Sequence, residues 1–365
     1  MSRIEWTDRT WNPVVGCSPV SPGCAGCYAA GVAHRGLTDA HRGLTIHTPG
    51  HGIAWTGEVR CLSGRLDQSL GWRQPQRIFV GSMTDLFHPA VPNGFLAEIF
   101  ARILLTPQHT YQVLTKRPAR LAGLLADPKL GLEVGHIASD LIGDGTLGID
   151  PAAYFDAQRR IDAGGPLLLN LWAGTSIESE RFGWRAEHLR AADGPAVRFL
   201  SLEPLLGPLP TLPAYLACGC GYDRGDHGHG RPGCDTYRGI DWVIAGGESG
   251  PRARPMHPDW VRWIRHCCDR AGVAFFFKQW GEWLPVDLLA DDDSDDAEAD
   301  NAWLRSIVAR GGGHQRVGWV NPSGVFSRRD PHDSAAEAVA RIGRRWAGRD
   351  LDGRTHDAFP DEVGR

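Results

Sequence analysis

Short apolar segments, each closed by a cluster of polar or charged residues, recur along this chain and alternate with helical patterns. The segments are 11–15, 77–81, 110–114, 167–173, 197–202, 241–245 and 273–277. Most are apolar almost throughout, which is the pattern of strands buried on both faces. Between the second and third, Phe95, Leu96, Ile99, Phe100, Ile103 and Leu104 share one 3.6-residue face, so a helix is expected over 93–105. Another is expected to start at Pro258, which suits a first helical turn, and to stop at Gly272, which suits the position just past a helix. Strands and helices in alternation predict an α/β fold with a parallel sheet. Six to seven such units fit a partial or complete parallel (β/α) barrel with inserted segments.

The barrel is expected over 1–285, with insertions at 130–165 and 215–239. The first insertion is read as joining two barrel elements through an extra helix. The second is rich in Gly, Cys and His. Residues 286–365 read as a C-terminal extension that opens with an acidic loop. Its run Asp-Asp-Asp-Ser-Asp-Asp-Ala-Glu-Ala-Asp at 291–300 has too few apolar groups to pack. Removing its seven negative charges from the net −4 leaves +3, a mildly basic body that neither requires nor excludes a nucleic-acid partner. The first residues contain no apolar stretch, and the longest apolar runs are too short to span a bilayer. A cytoplasmic location without a membrane partner is therefore expected.

In a parallel barrel the reactive groups gather where strands end and loops begin. The first strand leads to Cys17, and the second ends at Gly81, Ser82, Met83, Thr84 and Asp85. The third reaches Thr115, Lys116 and Arg117, and the fourth Thr175, Ser176 and Glu178. Ser201 and Glu203 follow the fifth, Gly247, Glu248 and Ser249 the sixth, and Lys278 and Gln279 the seventh. Polar groups after apolar strands predict one polar pocket above a packed core.

Cys17, Cys24 and Cys27 stand in a Gly- and Pro-rich loop with the spacing C-x6-C-x2-C. Thiolates hold iron–sulfur clusters, and glycine lets backbone N–H groups approach the cluster sulfurs. Three ligands on a [4Fe–4S] cluster leave one iron open, where the amino and carboxylate groups of S-adenosylmethionine (SAM) can bind. The same thiols also suit zinc, with His34 as a fourth ligand, or buried apolar packing. Cys218, Cys220 and Cys234, with His227 and His229, form a second group that suits a small zinc site or a Gly/His loop without metal. Cys267 and Cys268 lie in the helix expected from Pro258 and read as small buried groups.

Several segments resemble an uncharacterised, largely phage- and bacteria-associated family known for its three-cysteine motif, itself similar to radical SAM proteins of the spore photoproduct lyase type. They are Thr10-Trp11-Asn12-Pro13 with Gly16-Cys17, Ser21-Pro22-Gly23-Cys24, Cys27-Tyr28, and Arg77 to His88. Gln112 to Pro118, Ser201 to Pro208, Gly246 to Pro251, Phe277 to Gly281 and Leu351 to Thr355 also match. The resemblance implies a [4Fe–4S] cluster on Cys17, Cys24 and Cys27 with SAM over the strand ends. Gly81 to Met83 would offer backbone to the SAM amine, Lys116 or Arg117 would pair with its carboxylate, and Glu203 would accept from amine or ribose. Asp85, Ser176, Glu178, Ser201, Gly247 and Glu248 complete the implied pocket. The implied activity is hydrogen abstraction, with a nucleic acid or nucleotide as substrate and a flavodoxin or ferredoxin as reductant protein. A peptide or small-metabolite substrate is the alternative, and a non-catalytic, zinc-stabilised nucleic-acid-binding protein is another. Trp184-Arg185, Arg262-Trp263 and Arg345-Trp346 suit pairs that stack bases and neutralise phosphates, or tryptophans that face the core beside helix-surface arginines, the reading that fits Trp263 better.

Overall fold

A computed structural model describes residues 4–36, 38–49, 52–145, 150–162, 165–216, 239–289, 317–329, 331 and 333–360. Seven strands build its central sheet: β1 (Arg9–Trp11), β2 (Arg77–Val80), β3 (Thr110–Thr115), β4 (Leu171–Ser176), β5 (Val197–Leu202), β6 (Trp242–Gly246) and β7 (Ala274–Gln279). They lie side by side in chain order, and every neighbouring pair is parallel. Such a sheet, with the chain returned by helices, curls in the manner of a barrel. Here it is a half-barrel with β1 and β7 as its edges, the α/β partial barrel expected above.

The returning helices are α1 (Tyr28–His34), α2 (Asn93–Leu104), α3 (Pro118–Leu125), α4 (Pro128–Gly143), α5 (Ala152–Asp162), α6 (Trp184–Arg190), α7 (Leu212–Leu216) and α8 (Pro258–Ala271). α2 buries Leu96, Ile99, Phe100 and Ile103 completely, the stripe that its periodicity requires. α8 ends at Gly272, whose φ of 59° is the left-handed conformation that glycine adopts without strain. One continuous core joins these helices to the strand residues that point toward them, among them Val80, Val113, Ala173, Leu200, Val243 and Phe277. The alternate strand residues form a second core inside the curl: Phe79, Trp172, Val197, Phe199, Trp242, Ile244 and Phe276. Gly174 makes room there, since a Cβ on it would lie 2.4 Å from the Phe199 ring. Trp6 and Phe359 close this inner core from two distant parts of the chain, with rings 4.8 Å from Phe79 and 4.9 Å from Trp242.

Three local expectations need correction. Residues 11–15 are not one strand: β1 stops at Trp11, and Val14–Val15 pairs antiparallel with Arg60–Cys61. Pro13 separates the two, having no N–H to continue a ladder. The segment 130–165 contains two helices, α4 and α5, rather than one; α4 already starts at Pro128, capped by Asp127, which accepts from the Lys129 N–H. The run 167–173 enters the sheet only at Leu171, because the Asn170 side chain donates to the carbonyls of Ile103, Thr106 and His109.

Beyond the barrel, Trp283–Pro285, Glu337–Arg341, Val317–Val320 and Phe326–Ser327 form a four-stranded antiparallel sheet in that order. Trp283, Val320, Val339, Ala347 and Leu351 belong to the same core as the barrel. Cys218, Cys220, Cys234, His227, His229 and the acidic run 291–300 lie outside the described residues. No helix among the described residues is long and apolar enough to cross a membrane.

Candidate functional site

The cysteine loop is anchored at its first residue. Gly16 forms a parallel bridge with Thr84, and its N–H donates to Met83 O at 3.1 Å. Its φ is 94°, and a Cβ on it would sit 2.2 Å from Glu58 O, so only glycine fits. Cys17 is thereby presented beside the end of β2. The loop then runs across the carboxyl ends of the strands. Ser21 donates to Glu178 after β4, and Pro22 O accepts from Arg254 Nη2 at 3.0 Å. Side chains at Gly23 and Gly26 would meet the carboxylates of Glu178 and Glu248, at 2.5 and 2.9 Å. α1 follows, with the Tyr28 hydroxyl donating to Ser82 O at 3.0 Å.

None of the three thiols is in a disulfide, and all are half-buried. Cys17 and Cys27 rest on a small apolar cluster of Val15, Ala29, Ala30, Ala33, Leu44, Trp55 and Met83. Burial, aided by the Asp85 carboxylate, pushes the Cys17 thiol up to about 11. Burial acts the same way on Cys24, but Lys116, whose Nζ is 3.6 Å from the sulfur, outweighs it together with hydrogen bonds from Val20 and Ser21. The Cys24 thiol therefore titrates below its ordinary value. Three free, half-buried thiols in one loop are the donor chemistry that an iron–sulfur cluster takes. As placed, they are not drawn together: among the described residues no group of three or more His, Cys, Asp or Glu side chains has metal-binding geometry. His34 Nδ1 is 3.1 Å from Thr45 Oγ1.

Beneath the loop, each strand-end carboxylate has a cation. Asp85 accepts from Thr115 Oγ1 at 2.6 Å, the Lys116 N–H at 3.0 Å and Arg117 Nη1 at 2.8 Å. Glu178, almost fully buried, accepts from Lys116 Nζ and, at 3.1 Å, from Arg185 Nη1, itself buried. Burial alone would raise the Glu178 carboxyl, but Lys116, Ser21 and Arg185 hold it below the usual glutamate range. Glu203 accepts from Lys278 Nζ at 2.9 Å to each oxygen and from Gln279 Nε2 at 3.0 Å. Glu248 accepts from the Arg254 backbone and guanidinium at 2.6–2.8 Å.

The structure thus brings Cys17, Cys24, Asp85, Lys116, Arg117 and Glu178 into one linked group. Arg117 also donates to Ser18, whose Oγ is 2.8 Å from His88 Nε2. Gly81 N donates to Trp11 O, and Asn12 Oδ1 accepts from both the Ser82 hydroxyl and the Met83 N–H, so Gly81 to Met83 form a fixed turn. The carbonyls of Ser176 and Ser201 accept from Arg185 and from the Ile177 N–H, which ties both residues to the sheet. Gly247 lies against β7, where a Cβ would be 1.9 Å from Trp280 O. Glu203 with Lys278 and Gln279 forms a second polar group, joined to Ser249 through Gln279 at 3.1 Å.

The sequence offered Arg185 as a partner of Trp184 rather than of Glu178, and Arg254 not at all. Arg254 carries one signal, two residues after Arg252 in Pro-Arg-Ala-Arg directly behind a strand-end Glu-Ser-Gly. Arg185 looks like an ordinary helix-surface residue. Two of the three Arg–Trp pairs are otherwise engaged: Arg185 is buried on Glu178, and Arg262 is paired with Asp352 at 2.9 Å. Trp346 is 75% exposed, with the Arg345 guanidinium 5.7 Å from its ring. A cavity of about 660 Å³ opens beside the loop, lined by Pro22 and Glu178 and, across from them, by Trp283, Phe326 and Arg341 of the antiparallel sheet.

A family model described as a protein of unknown function, DUF5131, matches residues 1–360. No curated protein and no solved structure matches the chain.

Proposed function

The chain belongs to the DUF5131 family, whose description assigns no activity, and from its own site we propose that it is a radical SAM enzyme with a [4Fe–4S] cluster on Cys17, Cys24 and Cys27. The observation that carries this reading is the position of the cysteine loop. Three free thiols stand in a loop that crosses the carboxyl ends of a parallel half-barrel, where such folds do their chemistry, and that borders a cavity at Pro22. When bound, the cluster supplies the electron that cleaves the sulfonium of SAM and so starts hydrogen abstraction from the substrate.

The residues of the chain position, charge and shield. Lys116 favours the Cys24 thiolate, the form that ligates iron. The apolar cluster under Cys17 and Cys27 keeps water from one side of the loop. Glu178, held by Arg185, ties down the loop through Ser21, and Arg254, held by Glu248, ties it down through Pro22 O. The carbonyls of Gly81 to Met83, each already accepting one hydrogen bond, keep a second lone pair for the SAM amine. Lys116 and Arg117 are both paired with carboxylates, so binding of the SAM carboxylate there exchanges partners within an existing network. Ala25 and Gly26 are exposed at the loop surface, the side from which a flavodoxin or ferredoxin in the cytoplasm would deliver the electron.

The test is anaerobic reconstitution followed by iron and sulfide analysis and by chromatography for 5′-deoxyadenosine after addition of SAM and reductant. A brown protein that forms 5′-deoxyadenosine is expected. Cys17→Ala, Cys24→Ala and Cys27→Ala should each lose iron while remaining folded, and Cys267→Ala should keep it. Full iron in any of the first three, or bound zinc in place of iron, overturns the reading.

A further inference from the structure

Five arginines line the cavity beside the cysteine loop, Arg181, Arg252, Arg254, Arg328 and Arg341, against one carboxylate, Glu178. That carboxylate is already occupied by Lys116 and Arg185. Of the five, Arg254 is neutralised by Glu248, and Arg341 donates to Gly250 O at 2.9 Å and stands 4.0 Å from Glu282. Arg181 and Arg328 are exposed, and neither has an ion pair among the described residues. Guanidiniums gathered in one concavity repel one another and focus a positive field on whatever enters. The rest of the lining is of a different kind. Phe182 and Trp283 are buried, and Phe326, half-buried, packs edge-on to Trp283 at 5.2 Å.

Several guanidiniums and aromatic rings in one lining are the two halves of single-strand nucleic-acid recognition: arginine takes phosphate oxygens in its planar fork, and rings take base faces. A small dicarboxylate would need two of the five arginines and none of the rings. The volume, about 660 Å³, holds one or two nucleotides and excludes a duplex. We infer that this cavity is the substrate site and that its substrate is a single nucleic-acid strand, or a nucleotide extruded from a duplex, bound through its phosphates. The inference rests on the radical SAM reading for what happens to the bound nucleotide. It does not depend on that reading for binding. Pro22, two residues before Cys24, lines the same cavity, so a strand seated there borders the cysteine loop.

Fluorescence anisotropy of the full chain with a short labelled single strand tests this without SAM or reductant. The wild type should bind at low salt and release as salt rises, with a log–log slope of about −0.7 per neutralised phosphate. Arg181→Glu with Arg328→Glu, both at exposed positions, should weaken binding and flatten the slope by about 1.4, since two phosphates then go unneutralised. Arg159→Glu, on the exposed face of α5, should change neither. Competition by an unlabelled strand but not by polyglutamate of equal charge supports phosphate recognition, and equal competition by both overturns it. Displacement by a nucleoside monophosphate as effectively as by the strand keeps the phosphate but overturns the strand. An unchanged affinity in the double variant, or no binding by the wild type at low salt, ends the inference. Iron content and 5′-deoxyadenosine formation would then still decide the cluster reading separately.

Discussion

Glu178 is the residue whose loss should be felt both in stability and in the loop. Its carboxylate is almost fully buried between Lys116 and Arg185, and the Arg185 side chain is only 2% exposed. Glu178→Gln keeps the volume and one acceptor oxygen but leaves Arg185 charged without its counterion. Breaking a buried pair from one side costs about 3–5 kcal/mol. Unfolding entropy of about 2.1 cal/mol/K per residue makes roughly 0.8 kcal/mol/K for a chain of this length, so the melting temperature should fall by about 4–7 °C. The sign with pH follows from the lowered Glu178 carboxyl. A carboxyl that is depressed in the folded state contributes stability that is fully present above its unfolded value. The gap between wild type and variant should therefore be widest near neutrality and begin to close below about pH 4.3, the ordinary glutamate value. Differential scanning fluorimetry across that range, with the fourteen tryptophans as probe, reads it directly. Adding Arg185→Met should restore more than half of the loss, because the lone charge is then gone. A Glu178→Gln protein within about 1 kcal/mol of wild type, or a gap that does not change with pH, refutes the claim that this pair is closed and buried.

Two further outcomes concern the loop. Gly16→Ala retains all three thiols but drives a Cβ into Glu58 O, so it should lose iron in reconstitution almost as completely as Cys17→Ala. Iodoacetamide added to the metal-free protein at mildly alkaline pH should label Cys24 before Cys17 or Cys267, since the first titrates below its ordinary value and the other two near 11; peptide mass spectrometry gives the order.

The sheet was legible in the sequence because a parallel strand buried on both faces leaves a run of apolar residues, and the polar residue after each run marks its end. Asp85, Glu178, Glu203 and Glu248 were found in this way. Their partners were not, because an ion pair between residues far apart leaves no local periodicity. Arg185 sits in α6 between an exposed Trp184 and a buried Ala186, and nothing in its neighbours says that it turns inward to β4. The run 167–173 misled for a related reason. Three leucines suggest a strand, yet Leu169 is exposed, and Asn170 holds the chain off the ladder by binding three carbonyls from the preceding unit. The cavity was not legible at all. Its arginines come from four separate stretches, and only the return of Glu337–Arg341 beside Trp283–Pro285 brings the last of them across from the loop.

The closure of the inner core has a consequence for biosynthesis. Trp242 stacks on Phe359 and donates from its indole N–H to Ala358 O, and Phe276 bridges to Asp357. When the seventh strand has been translated, some eighty residues still separate the ribosome from Phe359. Through that interval the last two strands have neighbours but no floor, and a ring of aromatic side chains faces water at the mouth of the half-barrel. A nascent chain in this condition is a substrate for holding chaperones, and its release becomes timed to the arrival of a segment that touches neither the thiols nor the arginine-lined cavity. A stop codon placed just before Asp357 would spare every residue named in the site, and would be expected to yield inclusion bodies.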